Sequence, residues 1–354
     1  MHYVFEETKT LDERCYTTFG LTPEILMEHA GFALARSVKK KLTCKKSALF
    51  VCGMGNNGAD GVVAARLLHG AYQVSIYLPF QPKSDLAKLQ IERAKKVGVP
   101  IVDELLDADV YVDAFFGAGL NRPLDDFTCK LLETLNAKQG YKIACDIPSG
   151  ILSDLTLSPV IFQAHETVTM GALKLALLND TVKDAIGNIK VANLGIARSQ
   201  YETPSPNFLL RKSDLKLPLR IKKNTNKGTF GHVAIVQGSK EGAARLAGMG
   251  AFYFGAGLVT LLGKKPKKLP IYLMNSETLP KNANVIVAGM GLEMPFDEAA
   301  LKTLLLSNAL PLVIDASLSH HQLINDIIAS QKPVVLTPHP KEFSAILELT
   351  CKEK

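Results

Sequence analysis

Residues 47–70, SALFVCGMGNNGADGVVAARLLHG, carry three structural signals in one stretch. An apolar run typical of a buried strand comes first, and a run with helical apolar spacing comes last. Between them lies a glycine-rich turn, GMGNNGADG, residues 53–61. Turns of this kind often cradle phosphate, because N–H groups at a helix start point toward an anion. This turn also contains Asn56, Asn57 and Asp60. A carboxylate repels a nearby phosphate, so the presence of Asp60 indicates a bound cation or a hydrogen bond to another part of the ligand.

The same alternation of strand and helix continues through residue 198. Beyond 47–52, the predicted strands are 73–78, 109–114, 141–146, 166–170 and 189–194, and the predicted helices include 84–97 and 126–138. Upstream, LTPEILMEHAGFALARSVKK predicts an amphipathic helix with Thr22 as N-cap and Pro23 in the first turn. Strands interleaved with helices predict a largely parallel sheet that has helices on both faces.

Residues 199–227 interrupt this pattern with three prolines and many charges, which marks a linker or domain entry. The alternation then restarts. Predicted strands are 231–237, 258–262, 284–288, 311–315 and 333–337, and predicted helices are 241–255, 297–307, 320–330 and 340–349. We therefore expect two α/β domains, residues 1–200 and 205–354, which agrees with a length of 354 residues.

Composition narrows the class of protein. The chain is 47% hydrophobic and 21% charged with a formal net charge of +7, a mild excess that favours anionic ligands. It has no basic motif interleaved with aromatic residues, so nucleic acid is not indicated. No apolar run reaches the ~18 residues of a membrane span, and the N-terminus lacks a secretory pattern. Six cysteines form no CxxC pair, which predicts reduced thiols and a cytoplasmic protein. A homo-oligomer is expected by base rate only.

Three successive strand ends of the first domain carry polar residues. Asn57 follows the first strand, Asp113 ends the third in VDAFFGAGLNRPL, and Ser149 follows the fourth in ACDIPSG. Ligands bind at the carboxyl ends of parallel strands, so these oxygens converge if the strands are neighbours. Amide, carboxylate and hydroxyl oxygens suit a hard cation, and the lack of a carboxylate cluster favours a monovalent one. Taken singly, each turn could be a tight connection and each Asp a helix cap.

Together with LMEHAGFALA upstream, these motifs resemble the N-terminal domain of the NAD(P)H-hydrate epimerases over roughly residues 1–200. The resemblance implies a Rossmann-like three-layer α/β/α sandwich that interconverts the R and S forms of hydrated NADH and NADPH. It implies a potassium ion held by Asn57, Asp113 and Ser149. The residues implied to contact substrate are Asn56, Asn57, Gly58, Ala59, Asp60, Gly117, Ala118, Gly119, Leu120, Asn121, Arg122, Pro123 and Asp146.

The hydrated carbon is a hemiaminal, whose hydroxyl can leave with acid help and return on the other face. Asp146 is the predicted proton-transferring residue because of its place at a strand end and its match to the family. Two positions depart from the family pattern. Ala59 stands where the family usually has glycine, which costs about 1 kcal/mol if that backbone needs a positive φ. The ACDIPSG turn continues as ILSD rather than with Leu-Asp.

From about residue 205 the chain resembles the ADP- or ATP-dependent NAD(P)H-hydrate dehydratase domain, which has a ribokinase-like fold. The resemblance rests on KGTFGHVAIVQGS, GAGLVTL, AGMGLE, VIDAS and TPHPKEF. It implies that Gly291 and His339 meet the hydrated nucleotide and that ADP or ATP with magnesium serves this domain. Without the surrounding motif, His339 would read as a loop histidine between prolines. AGMGLE and VIDAS depart from the usual GPGLG and DADAL-like patterns.

In the ribokinase-like fold, the N–H groups of a GxGD turn form an anion hole and its Asp is the acid-base residue. Residues 205–354 contain no GxGD sequence. This domain therefore looks incomplete, and we expect negligible dehydration of S-hydrate by the chain alone. Two alternatives stay open. One is a nucleotide-binding module without turnover, and the other is a remnant of a ribokinase-like small-molecule kinase.

Overall fold

The computed structural model describes residues 2–42, 46–217, 219–293 and 295–351. The chain divides into two compact units, Met1–Leu215 and Lys216–Lys354, and each is described by itself. Among the described residues, no helix combines the length and the apolar character needed to cross a bilayer.

The first unit contains ten strands and seven helices in its described part. The strands are β1 (His2–Phe5), β2 (Ser47–Cys52), β3 (Gln73–Tyr77), β4 (Ile101–Val102), β5 (Val110–Ala114), β6 (Tyr141–Cys145), β7 (Glu166–Met170), β8 (Leu173–Lys174), β9 (Asn188–Ala192) and β10 (Asn207–Leu209). The helices are α1 (Lys9–Phe19), α2 (Pro23–Lys39), α3 (Asn56–Leu68), α4 (Asp85–Val97), α5 (Asp126–Ala137), α6 (Lys183–Ile186) and α7 (Arg198–Tyr201).

Seven of these strands form a parallel sheet in the order β4-β3-β2-β5-β6-β7-β9. Alternate residues of β2 face opposite sides, because successive side chains of a strand point in opposite directions. Phe50 belongs to the core beneath α2, α3 and α4, while Leu49 belongs to the core beneath α5. The sheet therefore lies between two helical layers, which confirms the predicted Rossmann-like three-layer sandwich.

The predicted cap of α2 is also confirmed. Thr22 has extended backbone angles, its hydroxyl accepts a hydrogen bond from the N–H of Ile25, and Pro23 occupies the first helical position. Each feature favours a helix start, since the Pro nitrogen has no hydrogen to leave unpaired.

A second, three-stranded sheet has the order β10-β1-β8 and was not predicted from the sequence. In it β1 pairs antiparallel with β10 and parallel with β8. Its strands have two to four residues and join segments far apart in the chain, so local periodicity gives little signal for them.

The second unit is again α/β. Its strands are β11 (His232–Val236), β12 (Leu258–Leu262), β13 (Met274–Ser276), β14 (Val285–Ala288), β15 (Leu312–Ile314) and β16 (Val334–Leu336). Its helices are α8 (Glu241–Phe254), α9 (Glu298–Leu306), α10 (Leu323–Ala329) and α11 (Pro340–Thr350). The strands form one parallel sheet, ordered β13-β12-β11-β14-β15-β16, with α8 against one face and α9 to α11 against the other. The predicted ribokinase-like α/β architecture agrees with this arrangement.

Candidate functional site

The three predicted strand ends lie side by side, because β2, β5 and β6 are neighbours in the large sheet. Asp113 and Ser149 are in direct contact. The Ser149 hydroxyl donates to Oδ1 of Asp113 at 2.7 Å, and the Ser149 N–H donates to Oδ2 at 2.8 Å. The N–H of Phe116 in turn donates to the Ser149 hydroxyl at 2.9 Å. These bonds tie the turn after β5 to the turn after β6.

Asp113 is a fully buried carboxylate, and within the described part of the chain no cationic side chain forms an ion pair with it. Burial raises the pKa of Asp113 to about 6, although hydrogen bonds from Ser149 and Phe115 act in the opposite direction. A buried negative charge without a counter-charge is costly. A bound cation would offset this cost, so the donor set fits the implied potassium ion on electrostatic grounds.

Asn57 lies in the first turn of α3 and faces the turn after β5. A methyl group built on Gly117 would lie 2.9 Å from Oδ1 of Asn57 and 3.2 Å from Oδ2 of Asp146. The Nδ2 of Asn57 is buried and has no hydrogen-bond partner among the described residues. Rotating the amide by half a turn would present its oxygen at that position instead, which a cation could use.

The types of ligand atom at this site also indicate which class of metal ion it could bind. No group of three or more His, Cys, Asp or Glu side chains in the described ranges is arranged to hold a metal ion. One carboxylate, one hydroxyl and one amide oxygen suit a weakly held monovalent cation better than a divalent ion.

Asp146 has a left-handed backbone conformation, with φ of 69°. Such a conformation is uncommon for a residue other than glycine and often marks a functional site. Its carboxylate is buried and hydrogen-bonded on both oxygens. Oδ2 accepts from the N–H of Ala118 at 3.2 Å, and Oδ1 accepts from Thr169, Met170 and Lys174.

Lys174 is a residue of this site that the sequence analysis missed. Its side chain is 1% exposed, and Nζ donates to Oδ1 of Asp146 at 2.6 Å. Nζ also donates to Oγ1 of Thr169 at 3.1 Å and to the carbonyl of Met170 at 3.0 Å. All three N–H groups are therefore used, and the ammonium group holds the Asp146 carboxylate in place. The one available signal was a single lysine within the apolar run GALKLALL, residues 171–178.

Two aspartates of the site have pKa values shifted in opposite directions. Burial would raise the pKa of Asp146, but the charge and hydrogen bond of Lys174 outweigh it, so this pKa lies below its usual value. Burial raises the pKa of Asp60 well above its usual value, and the negative charge of Asp146 adds to this. Among the described residues, the Asp60 carboxyl has no hydrogen-bond or ion-pair partner, so it is free to contact a ligand.

The other predicted contact residues fall into two segments. Asn56, Gly58 and Ala59 lie in the first turns of α3, so the backbone of Ala59 is helical and the departure from glycine carries no positive-φ cost. Within 117–123, the side chain of Leu120 is buried in the core beneath α5, and those of Asn121, Arg122 and Pro123 are exposed.

In the second unit, Gly291 and His339 follow the carboxyl ends of β14 and β16. Gly291 has φ of 68°, and an added methyl would lie 2.7 Å from the carbonyl of Lys240. His339 caps α11, and its Nδ1 accepts from the N–H groups of Lys341 and Glu342 at 3.2 and 3.4 Å. Its side chain is 59% exposed, so a ligand could reach it. β15 separates the two strands that carry these residues.

Comparison with known proteins finds a different family match in each of the two units. Residues 23–176 match the family described as YjeF-related protein N-terminus, and residues 233–354 match the family described as NAD(P)H-hydrate dehydratase. The chain is 38% identical to the bifunctional NAD(P)H-hydrate repair enzyme Nnr of Helicobacter pylori, over 98% of this chain and 75% of that protein. It is 31% identical to the enzymes of the same name from Archaeoglobus fulgidus and Thermofilum pendens, covering 96% and 98% of this chain and 75% and 74% of theirs.

Proposed function

The chain belongs to the family of bifunctional NAD(P)H-hydrate repair enzymes, and on this premise we propose that its first unit interconverts the R and S forms of hydrated NADH and NADPH. The observation that carries the proposal is the buried Asp146–Lys174 pair beside the glycine-rich turn of Gly117. An ionised carboxylate held at a strand end beside an open turn is suited to proton transfer.

The reaction requires one proton to be supplied and one to be removed. The bond between the ring carbon and its hydroxyl breaks, the hydroxyl takes a proton, and water leaves while the ring nitrogen stabilises the resulting cation. Water then adds to the opposite face and gives up a proton. Asp60 holds a proton more tightly and supplies the first one, and Asp146 is ionised and accepts the second. Proton exchange with solvent then returns both carboxyls to their starting states. Opposed pKa values in one site are how enzymes separate acid from base.

Potassium is the proposed cation for Asn57, Asp113 and Ser149. Its charge would offset the buried carboxylate of Asp113 and hold the turns after β5 and β6 together. N–H groups at the start of α3 are available for the pyrophosphate of the substrate.

The test is the rate at which pure R-hydrate converts to the R and S mixture, followed by chromatography. We expect Asp146→Asn to lower kcat by about a hundredfold or more, since a base contributes roughly 10²–10⁴ to rate. Asp125→Asn is a matched control, because Asp125 caps α5 at its first turn and Asn replaces Asp well at such positions. Full activity of Asp146→Asn would contradict the assignment, and hydrate binding without conversion by the wild type would favour a binding module.

For the second unit, the proposed substrate is S-hydrate with ADP or ATP as phosphoryl donor. The accessible His339 at the start of α11 and the backbone turn at Gly291 support binding of a nucleotide there. Residues 205–354 contain no GxGD turn to supply an anion hole and a base. We therefore expect the 354-residue polypeptide by itself to dehydrate S-hydrate negligibly. Robust ADP-dependent turnover by this polypeptide would refute that expectation.

The proposed compartment is the cytoplasm. The described cysteines are all free, and Cys15, Cys52 and Cys145 are buried, as expected where thiols stay reduced.

A further inference from the structure

Lys174 lies on β8, a strand so short that its position depends on the strand with which it pairs. β8 has two residues, and its partner is β1, with Val4 opposite Leu173 and Phe5 opposite Lys174. β1 is paired on its other side with β10, and the hydroxyl of Ser205 donates to the carbonyl of Val4 at 2.6 Å. The backbone of Lys174 is thus fixed by segments from the two ends of the first unit.

The turn that precedes Lys174 also contacts segments from the two ends of the first unit. Gly171 has φ of 74°, and a methyl group built on it would lie 2.4 Å from the hydroxyl oxygen of Tyr201. That hydroxyl donates to Oδ1 of Asp12 at 2.8 Å, and the side chain of Arg14 donates to the carbonyl of Tyr201 at 2.8 Å. Tyr201 is buried, so its hydroxyl depends on Asp12 as its partner.

The supporting residues come from two segments near the ends of the first unit. Asp12 and Arg14 come from α1, and Tyr201 ends α7. Among the described residues none of them forms a hydrogen bond with Asp146, but the charge of Asp12 also helps to raise the pKa of Asp60. The state of the Lys174 ammonium group, rather than kcat, therefore isolates their effect on Lys174.

We propose that Asp12 and Tyr201 are positioning residues that hold the Lys174 ammonium group against the Asp146 carboxylate. The inference rests on the proposed epimerase function, because it assigns these residues a part in that reaction. The ion pair is buried, and Nζ has three acceptors within 3.1 Å. The Asp12 carboxyl is partly buried and accepts the Tyr201 hydroxyl, so loss of that hydroxyl would free the Tyr201 ring to move away from Gly171 and would loosen the 170–174 turn.

The decisive variant is Tyr201→Phe, which removes one oxygen and keeps the ring. Its matched control is Tyr3→Phe, since Tyr3 lies on β1 and packs its ring against Phe208 with no hydrogen bond from its hydroxyl in the described structure. Kinetics on R-hydrate give kcat and KM. A lysine ammonium ¹H–¹⁵N spectrum gives a readout independent of activity, because a buried, hydrogen-bonded ammonium exchanges slowly with water. Lys174→Arg identifies the Lys174 signal by its loss.

We expect Tyr201→Phe to lower kcat by about tenfold to a hundredfold with KM changed less than about twofold, as for other supporting residues of active sites. The Lys174 signal should broaden or vanish in the same variant, and Tyr3→Phe should change neither quantity. A sharp Lys174 signal in Tyr201→Phe would overturn the proposal, whatever happens to kcat. If the wild type has no epimerase activity, the proposed function fails, and the spectrum alone still decides whether Tyr201 holds Lys174.

Discussion

Removing the charge of Lys174 tests whether the buried ion pair stabilises the first unit. Lys174→Met keeps most of the side-chain volume but leaves the Asp146 carboxylate without its cation. The bond to Nζ is 2.6 Å and both groups are buried. Removing one partner of a buried pair costs about 3–5 kcal/mol, because the remaining charge is uncompensated. In a unit of this size that corresponds to a fall in Tm of roughly 6 to 20 °C.

The pH dependence of the difference in stability between wild type and Lys174→Met distinguishes loss of the ion pair from loss of packing. In the wild type the pKa of Asp146 lies below its unfolded value, so ionised Asp146 contributes stability that is lost as pH falls through the folded pKa. Without Lys174, burial dominates and the pKa rises above the unfolded value. The stability deficit of Lys174→Met should then be largest near neutral pH and should shrink as the pH falls through the raised pKa, because Asp146 of the variant takes up a proton there.

Differential scanning calorimetry of the full chain measures this effect. Lys88→Met is the matched control, since Lys88 is largely exposed, pairs with Asp85 at 3.3 Å and should cost less than about 1 kcal/mol. Adding Asp146→Asn to Lys174→Met removes the stranded charge and should restore part of the lost stability. A Lys174→Met protein within about 1 kcal/mol of wild type at neutral pH would refute the reasoning.

Two further predictions concern the cation site. Because burial raises the pKa of Asp113 to about 6, its ionisation should cost about 3 kcal/mol of stability as pH rises from about 4 to 6 without potassium. Calorimetry with and without potassium should show that the ion reduces this loss of stability. Asp113→Asn should abolish the potassium effect. A potassium effect that survives in Asp113→Asn would exclude the site. Gly117→Ala should displace the Asn57 side chain and raise KM for hydrate with little change in Tm. Gly119→Ala, whose methyl meets no atom within 4 Å, should raise it less, and equal effects would contradict the role of Asn57.

The long elements of both units were predictable because their signals are local. The run 47–52 became β2 with unchanged bounds, and Thr22 caps α2 as expected. The neighbouring strand ends that carry Asp113 and Ser149 also follow from strand order in an open parallel sheet. The small sheet of β10, β1 and β8 was missed, since its strands are short and their pairing depends on distant segments.

The composition and periodicity of this chain determined two α/β units and the glycine-rich turns at the sheet edge, because hydrophobic spacing acts over a few residues at a time. Tertiary structure decided which charges meet. Lys174 lies in an apolar run, and tertiary packing, which includes the pairing of β8 with β1, buries it against Asp146. Burial raises the proton affinity of both Asp146 and Asp60, and the ammonium group of Lys174 reverses the shift at Asp146, so the two carboxyls have opposite pKa shifts. No local pattern encodes that property, because it depends on every segment that excludes water from the site.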